Sequence, residues 1–241
     1  MKPLKPNQQR AQLTIVLLWI VLALYALLAI SSYFEYRLLQ SWQDGATVSM
    51  EAAEANDARQ QLLVIVMVIA YIATIVAFIS WFRRAYYNLH QRVSGLSQTE
   101  GWAAGAWFVP FVNLYMPYQI MKELYTETFE IMGSKKGEYP EHFTASYVGW
   151  WWAGWIVCML YGRVEWALTK SAESLPESIT AALMGAIGCV LMVPLALLAI
   201  KVVADYAKME SMLFAQETTA VQKTADNTGE KTVETVPEPF S

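Results

Sequence analysis

GWAAGAWFVPFVNLYMPYQIM, residues 101–121, is the stretch on which the topology turns. It is apolar enough to pass for a membrane span. Yet Pro110 and Pro117 interrupt helical hydrogen bonding, and Asn113 would lie near mid-membrane. Open backbone at membrane depth is tolerated only where protein covers it. Residues 101–124 therefore read as a Pro-broken, re-entrant or interfacial helical segment and not as a crossing.

Four other apolar blocks flank it, at about residues 13–32, 62–82, 145–162 and 179–201. Crossing about 30 Å of hydrocarbon takes roughly 20 apolar residues, with about 17 as the lower limit. The first, second and last blocks meet that directly, and the 145–162 block is marginal. Backbone groups in lipid must be satisfied internally, so each block reads as helix. The first block follows Lys2, Lys5 and Arg10, but its apolar core exceeds the 7–15 residues usual for a signal peptide. An anchored helix is the better reading. The fold class is thus an all-α integral membrane protein: a four-helix transmembrane bundle with the extra segment 101–124.

Charge supports this count of crossings. With four spans and the N-terminus inside, thirteen basic residues lie inside: Lys2, Lys5, Arg10, Arg83, Arg84, Arg92, Lys122, Lys135, Lys136, Lys201, Lys208, Lys223 and Lys231. Only Arg37, Arg59, Arg163 and Lys170 lie outside. A fifth crossing would change the split to eight against nine, against the excess of Lys and Arg on cytoplasmic loops. The expected arrangement is a cytoplasmic N-terminus (1–11), a multispan domain (12–215) and a disordered cytoplasmic tail (216–241), in a bacterial inner membrane. The tail is Thr, Glu, Lys and Ala with few apolar residues. Ahead of it, Val202, Tyr206, Met209 and Leu213 mark one face of a helix continuing past the last span.

Composition agrees. The apolar fraction is 56%, above the roughly 45–50% of soluble domains. Ten Trp and thirteen Tyr suit a chain whose aromatic rings line a membrane interface, and Trp150, Trp151, Trp152 and Trp155 read as such a belt. No long basic run points to nucleic acid. Cys158 and Cys189 both fall in apolar blocks and form no metal-binding or redox motif, so no metal and no cofactor is expected. His90 and His142 belong to no ligand pattern, and no hydrolase, kinase or nucleotide-binding signature occurs.

Trp81, Arg84 and Asn88 form one helical stripe at the inner boundary of the second span, while Gln119 and Glu123 share a face at the far end of the broken segment. The expectation is that Arg84 pairs with Glu123, and that Asn88 and Asn113 satisfy backbone freed by Pro110 and Pro117. The same eight residues could instead line a polar pocket for a headgroup or small solute. Small residues recur every fourth position at Ala145, Gly149 and Ala153, and at Ala181, Gly185 and Cys189. They would let those two helices approach closely. Pro194 points to a kink, and Arg163 and Glu165 to simple surface positions.

The run Trp81-Phe-Arg-Arg-Ala-Tyr-Tyr-Asn88-Leu, followed by Pro110-x-x-Asn113-Leu-x-x-Pro117 and a downstream Glu123, resembles the bacterial family filed as domain of unknown function 4328. The resemblance covers roughly residues 60–205. It implies a small multispan membrane protein and carries over no catalytic residue. The resulting expectation is a non-enzymatic binding or scaffold protein working at its cytoplasmic face. Its partners would be membrane lipids and a protein or small ligand, with no nucleic acid and homo-oligomerisation open. A small-solute transporter or channel is the first alternative, and a membrane-embedded enzyme the second.

Overall fold

The computed structural model describes residues 4–136 and 145–233. Lys2 of the charge count, His142 of the motif reading and the last eight residues of the expected disordered tail lie outside them. Among the described residues every regular element is helical: α1 (Gln8–Gln43), α2 (Met50–His90), α3 (Trp102–Gly105), α4 (Met116–Lys136), α5 (Ser146–Ser171) and α6 (Leu175–Val233). A 3₁₀ turn covers Val112–Leu114. Three of these helices, α1, α2 and α6, are long and apolar enough to cross a membrane. The fourth expected span, α5, has 26 residues, but its Trp and Tyr dilute its aliphatic content.

Most large side chains along the apolar stretches are exposed, among them Ile20, Ile30, Ile69, Val76 and Val190. Continuous apolar surface of this extent needs a partner that is not water. The helices pack in the order α2, α1, α6, α5: α1 runs against both α2 and α6, and α5 packs on α6. A turn with Gly45 at φ +89° reverses α1 into α2, whose N-terminus is capped by Ser49 Oγ accepting from Ala52 N–H at 3.1 Å. Beyond that turn, Arg59 Nε donates to Ser31 Oγ (2.9 Å) and Gln60 Nε2 donates to Glu35, clasping the α1–α2 hairpin.

The α5–α6 contact differs from the expected one. Gly149 has open space where a Cβ would be, whereas a Cβ on Gly188 would lie 2.8 Å from Glu165 Oε2 and 2.9 Å from the Tyr161 ring. The close approach is therefore made by Gly154 on α5 and by Gly185 and Gly188 on α6. Glu165 is not a plain surface residue either, because its carboxylate lies against this seam. Trp151 and Trp152 are buried, and Trp107, Trp152 and Trp155 pack ring against ring. An interior aromatic cluster thus takes the place of the expected belt, with Trp150 alone of the triplet exposed.

Segment 101–124 holds less helix than its apolar content suggests. One turn, α3, is followed by irregular chain, the 3₁₀ turn, and then α4. Pro110 breaks the chain as expected. Pro117 does not, because it occupies the first turn of α4, where its missing N–H would have had no partner in any case. Between them Val112 N–H donates to the Pro110 carbonyl at 2.8 Å around Phe111, whose φ is +64° and ψ −41°. This is a strained γ-turn, unusual for a residue with a side chain.

The segment leaves one end of α2 and returns to it. Arg83 pairs with Glu100 at 3.4 Å, Trp107 meets Phe78 and Phe82, and Glu123 comes back to Ser97 and Tyr86. Finally, α6 continues as helix through residues 217–233, where composition pointed to disorder.

Phe111 is 81% exposed, so its replacement loses little packing. Phe111→Gly should raise the thermal midpoint in detergent by a few degrees, roughly 1 kcal/mol of relieved strain, and Phe111→Val should lower it.

Candidate functional site

The polar residues that matter most gather where α1 begins, α2 ends and α6 leaves the bundle. Asn88, near the end of α2, makes a two-way clip with the chain ahead of α1. Lys5 N–H donates to Asn88 Oδ1 at 2.9 Å, and Asn88 Nδ2 donates back to the Lys5 carbonyl at 2.9 Å. The same amide also donates to Glu210 Oε1 at 2.6 Å. Asn7 completes the knot, donating from Nδ2 to Glu210 Oε2 at 3.0 Å and to the Trp81 carbonyl at 3.3 Å. Asn7, Asn88 and Glu210 are all buried.

Glu210 lies beyond the apolar block that ends at Ile200, yet it is enclosed. Burial pushes its carboxyl above the ordinary range, while the amides of Asn88 and Asn7 and the charge of Arg84 pull it back down. Around it, Trp81 and Tyr206 pack edge to face, and Tyr125 Oη donates to the Val202 carbonyl at 2.7 Å. Three helices distant in sequence are thereby pinned at one level.

A second clamp holds the returning end of segment 101–124. Glu123 accepts from Ser97 N–H (2.8 Å), Ser97 Oγ (3.2 Å) and Tyr86 Oη (2.6 Å), and Tyr86 Oη accepts from Gln98 N–H at 3.2 Å. Burial first, and then the hydrogen bond to Glu123, push the Tyr86 phenol upward. Arg84 and Glu123 therefore do not pair. The Glu123 oxygens are filled by hydroxyl and backbone donors, and Arg84 lies toward Tyr87, Arg10 and Glu210 instead.

The remaining expected site residues divide. Trp81 and Asn88 join the knot as interior groups. Asn88 serves the N-terminal chain and Glu210, not the backbone freed by Pro110 and Pro117. Asn113 is half-buried and remote from that knot in every contact described; its backbone N–H bonds the Val109 carbonyl. Pro110 and Gln119 are exposed, and Pro117 is buried at the start of α4. Two members went unread in the sequence, Asn7 and Glu210. Glu210 follows Val203 by seven and Tyr206 by four, which places it on their buried stripe. Asn7 carries no signal beyond its place just before a helix.

Next to the knot is a groove of about 800 Å³. Lys5, Arg10, Arg83 and Arg84 line its polar part, with Glu100 as the acidic member. Ile72, Ile75, Val76 and Ile79 line its apolar part. Arg10 Nη1 donates to the Ser80 carbonyl at 3.2 Å, and Lys5 Nζ stands 4.1 Å over the Tyr87 ring. No group of three or more His, Cys, Asp or Glu side chains that could hold a metal ion occurs among the described residues.

The sequence model of the family described as Domain of unknown function (DUF4328) matches residues 44–208. No curated protein and no solved structure matches the chain.

Three thermodynamic cycles test this geometry. Glu210→Ala should cost about 3 kcal/mol by taking one of its two acceptors from each of two buried amides, and Asn88→Ala/Glu210→Ala should couple by about 1–3 kcal/mol. Tyr86→Phe/Glu123→Ala should couple as well, while Arg84→Ala/Glu123→Ala should be additive within about 0.5 kcal/mol. Coupling in that last pair would restore the ion pair.

Proposed function

The chain belongs to the family described as Domain of unknown function DUF4328, and on that premise we propose that it is a non-enzymatic binding protein of the cell membrane, working at its basic end. The observation that carries this reading is the unequal use of charge at that end. The two carboxylates at the centre, Glu123 and Glu210, are engaged by structural hydrogen-bond donors. General acid–base chemistry needs a group free to exchange a proton with substrate. The cations Lys5, Arg10, Arg83 and Arg84 instead collect over an open groove. Such a face selects anions and holds them.

In this reading α1, α2, α5 and α6 all span, both termini lie in the cytoplasm, and segment 101–124 dips in from that side and returns. The excess of Lys and Arg at one end supports the orientation. The return of Glu123 to Ser97, close to where the segment set out, supports the dip. Phe108 and Phe111, 72% and 81% exposed, give the loop an apolar tip suited to lipid.

Single cysteines introduced into a chain whose own Cys158 and Cys189 are replaced test the placement. Lys122→Cys and Ser211→Cys should react with an impermeant maleimide only after the cells are opened, and Ser49→Cys should react in intact cells. Labelling of Lys122→Cys and Ser211→Cys from outside would make segment 101–124 a crossing. Reconstituted vesicles should show solute uptake no faster than protein-free ones; uptake abolished by Asn113→Leu would put a transporter first.

A further inference from the structure

The groove beside the knot has two halves of opposite character. Its rim carries four cations and one carboxylate, and that carboxylate, Glu100, is already paired with Arg83 at 3.4 Å. Burial first, and then the neighbouring charge of Arg84, disfavour the charge on Arg10, an arrangement that an anion beside them would relieve. The floor is aliphatic and belongs to α2, whose outer face here is bare: Ile72 is 57% exposed and Val76 64%. A soluble anion would use the rim and leave the floor empty. A folded protein partner would have to reach an apolar helix face that this chain presents to lipid.

The groove also has a continuation. A second cavity, of about 300 Å³, lies between α1, α2, α5 and α6, with Tyr71, Phe78, Trp155, Met192 and Leu195 among its walls. It shares Ile75, Ile79 and Phe108 with the groove, so the two volumes adjoin across those side chains. Trp107, also in its wall, has an indole N–H that is buried and has no hydrogen-bond partner among the described residues. Trp107 packs on Phe78 and Phe82, on the apolar side of Arg83 and Arg84 along α2. A phosphate at the arginines would place an ester carbonyl at about that depth. Buried donors are rarely left without an acceptor.

We propose that the groove and the adjoining cavity together hold one anionic phospholipid of the bilayer, with its phosphate among Lys5, Arg10, Arg83 and Arg84, an ester carbonyl near Trp107, and one acyl chain passing Phe108 into the cavity. This rests on the reading of the basic end as a binding face and names what it binds. The two halves of the site answer the two halves of that molecule. A free phosphate ester would leave the floor empty, and a zwitterionic lipid would bring a cationic headgroup in among four cations. Because Lys5 is also held by Asn88, the bound headgroup would touch the same chain that closes the knot.

The test uses the full chain in a non-ionic detergent, titrated with phosphatidylglycerol, with phosphatidylcholine of the same acyl chains, and with glycerol phosphate. Retained lipid is counted by native mass spectrometry. One phosphatidylglycerol should be retained at least tenfold more tightly than phosphatidylcholine, and glycerol phosphate should neither displace it nor raise the melting temperature. Arg10→Gln/Arg84→Gln should weaken phosphatidylglycerol at least tenfold and leave phosphatidylcholine unchanged. Since those side chains adjoin the knot, Lys5→Gln/Arg83→Gln serves as a second variant, because Lys5 enters the knot through its backbone alone, and it should cost several-fold. Trp107→Phe, which keeps a ring and removes the donor, should weaken both lipids alike. Equal retention of the two lipids, indifference to both rim variants, or full competition by glycerol phosphate would each overturn the proposal. Those results would leave the cysteine-labelling pattern untouched, so failure of the lipid assignment is separable from failure of the binding-face reading.

Discussion

Everything at the basic end depends on one requirement: a carboxylate enclosed by apolar helices must have its oxygens filled. Glu210 meets it with two side-chain amides, Asn7 and Asn88, drawn from chain 203 and 122 residues away. An enclosed carboxylate without such donors is costly, so the three groups hold one another in place. The helix ends then have little freedom. Asn88 fixes the end of α2 against the start of the chain, Asn7 fixes the start of α1 against α6, and the groove beside them inherits its shape. The helices could find their neighbours through shape alone, but apolar packing discriminates weakly between registers in lipid. The amide–carboxylate knot supplies the register.

The same need for satisfaction explains segment 97–124. Its backbone is irregular around Pro110, and the segment is held chiefly by what its two ends grip. Arg83 holds one end through Glu100, and Tyr86 and the Ser97 backbone hold the other through Glu123. Both grips originate from the last two turns of α2. The Trp107 ring seals the space between, packed on Phe78, Phe82, Trp152 and Trp155. A loop anchored this way can carry a strained turn at Phe111, since the strain is local and the anchors are not.

How much of this was legible in the sequence follows the physics of each signal. Helices α1, α2 and α6 announce themselves as unbroken apolar blocks, because lipid demands length and composition and little else. The stripe Trp81–Arg84–Asn88 pointed to the right helix face, and Asn88 proved central. The partner of Arg84 was misread because pairing was inferred from opposite charge. The structure satisfies Glu123 and Glu210 with neutral donors, and amides and hydroxyls leave no charge pattern to follow. Glu210 was hidden by its setting in an amphipathic stretch, where a glutamate usually faces water. The tryptophan triplet misled for a related reason: Trp suits an interface and an interior equally, and only the neighbours decide.

The knot also imposes an order in time. Asn7 leaves the ribosome 203 residues ahead of Glu210, which emerges only after the apolar part of α6 has been made. The first hairpin, α1 with α2, can assemble early through its clasp at Arg59 and Ser31. Its opposite end must wait for α6 to supply the acceptor that Asn7 and Asn88 share. A chain halted before Glu210 would keep that end open, its stretch at Lys5 and Asn7 tied to α2 but not to α6, and that missing tie is what would mark a copy still waiting for α6.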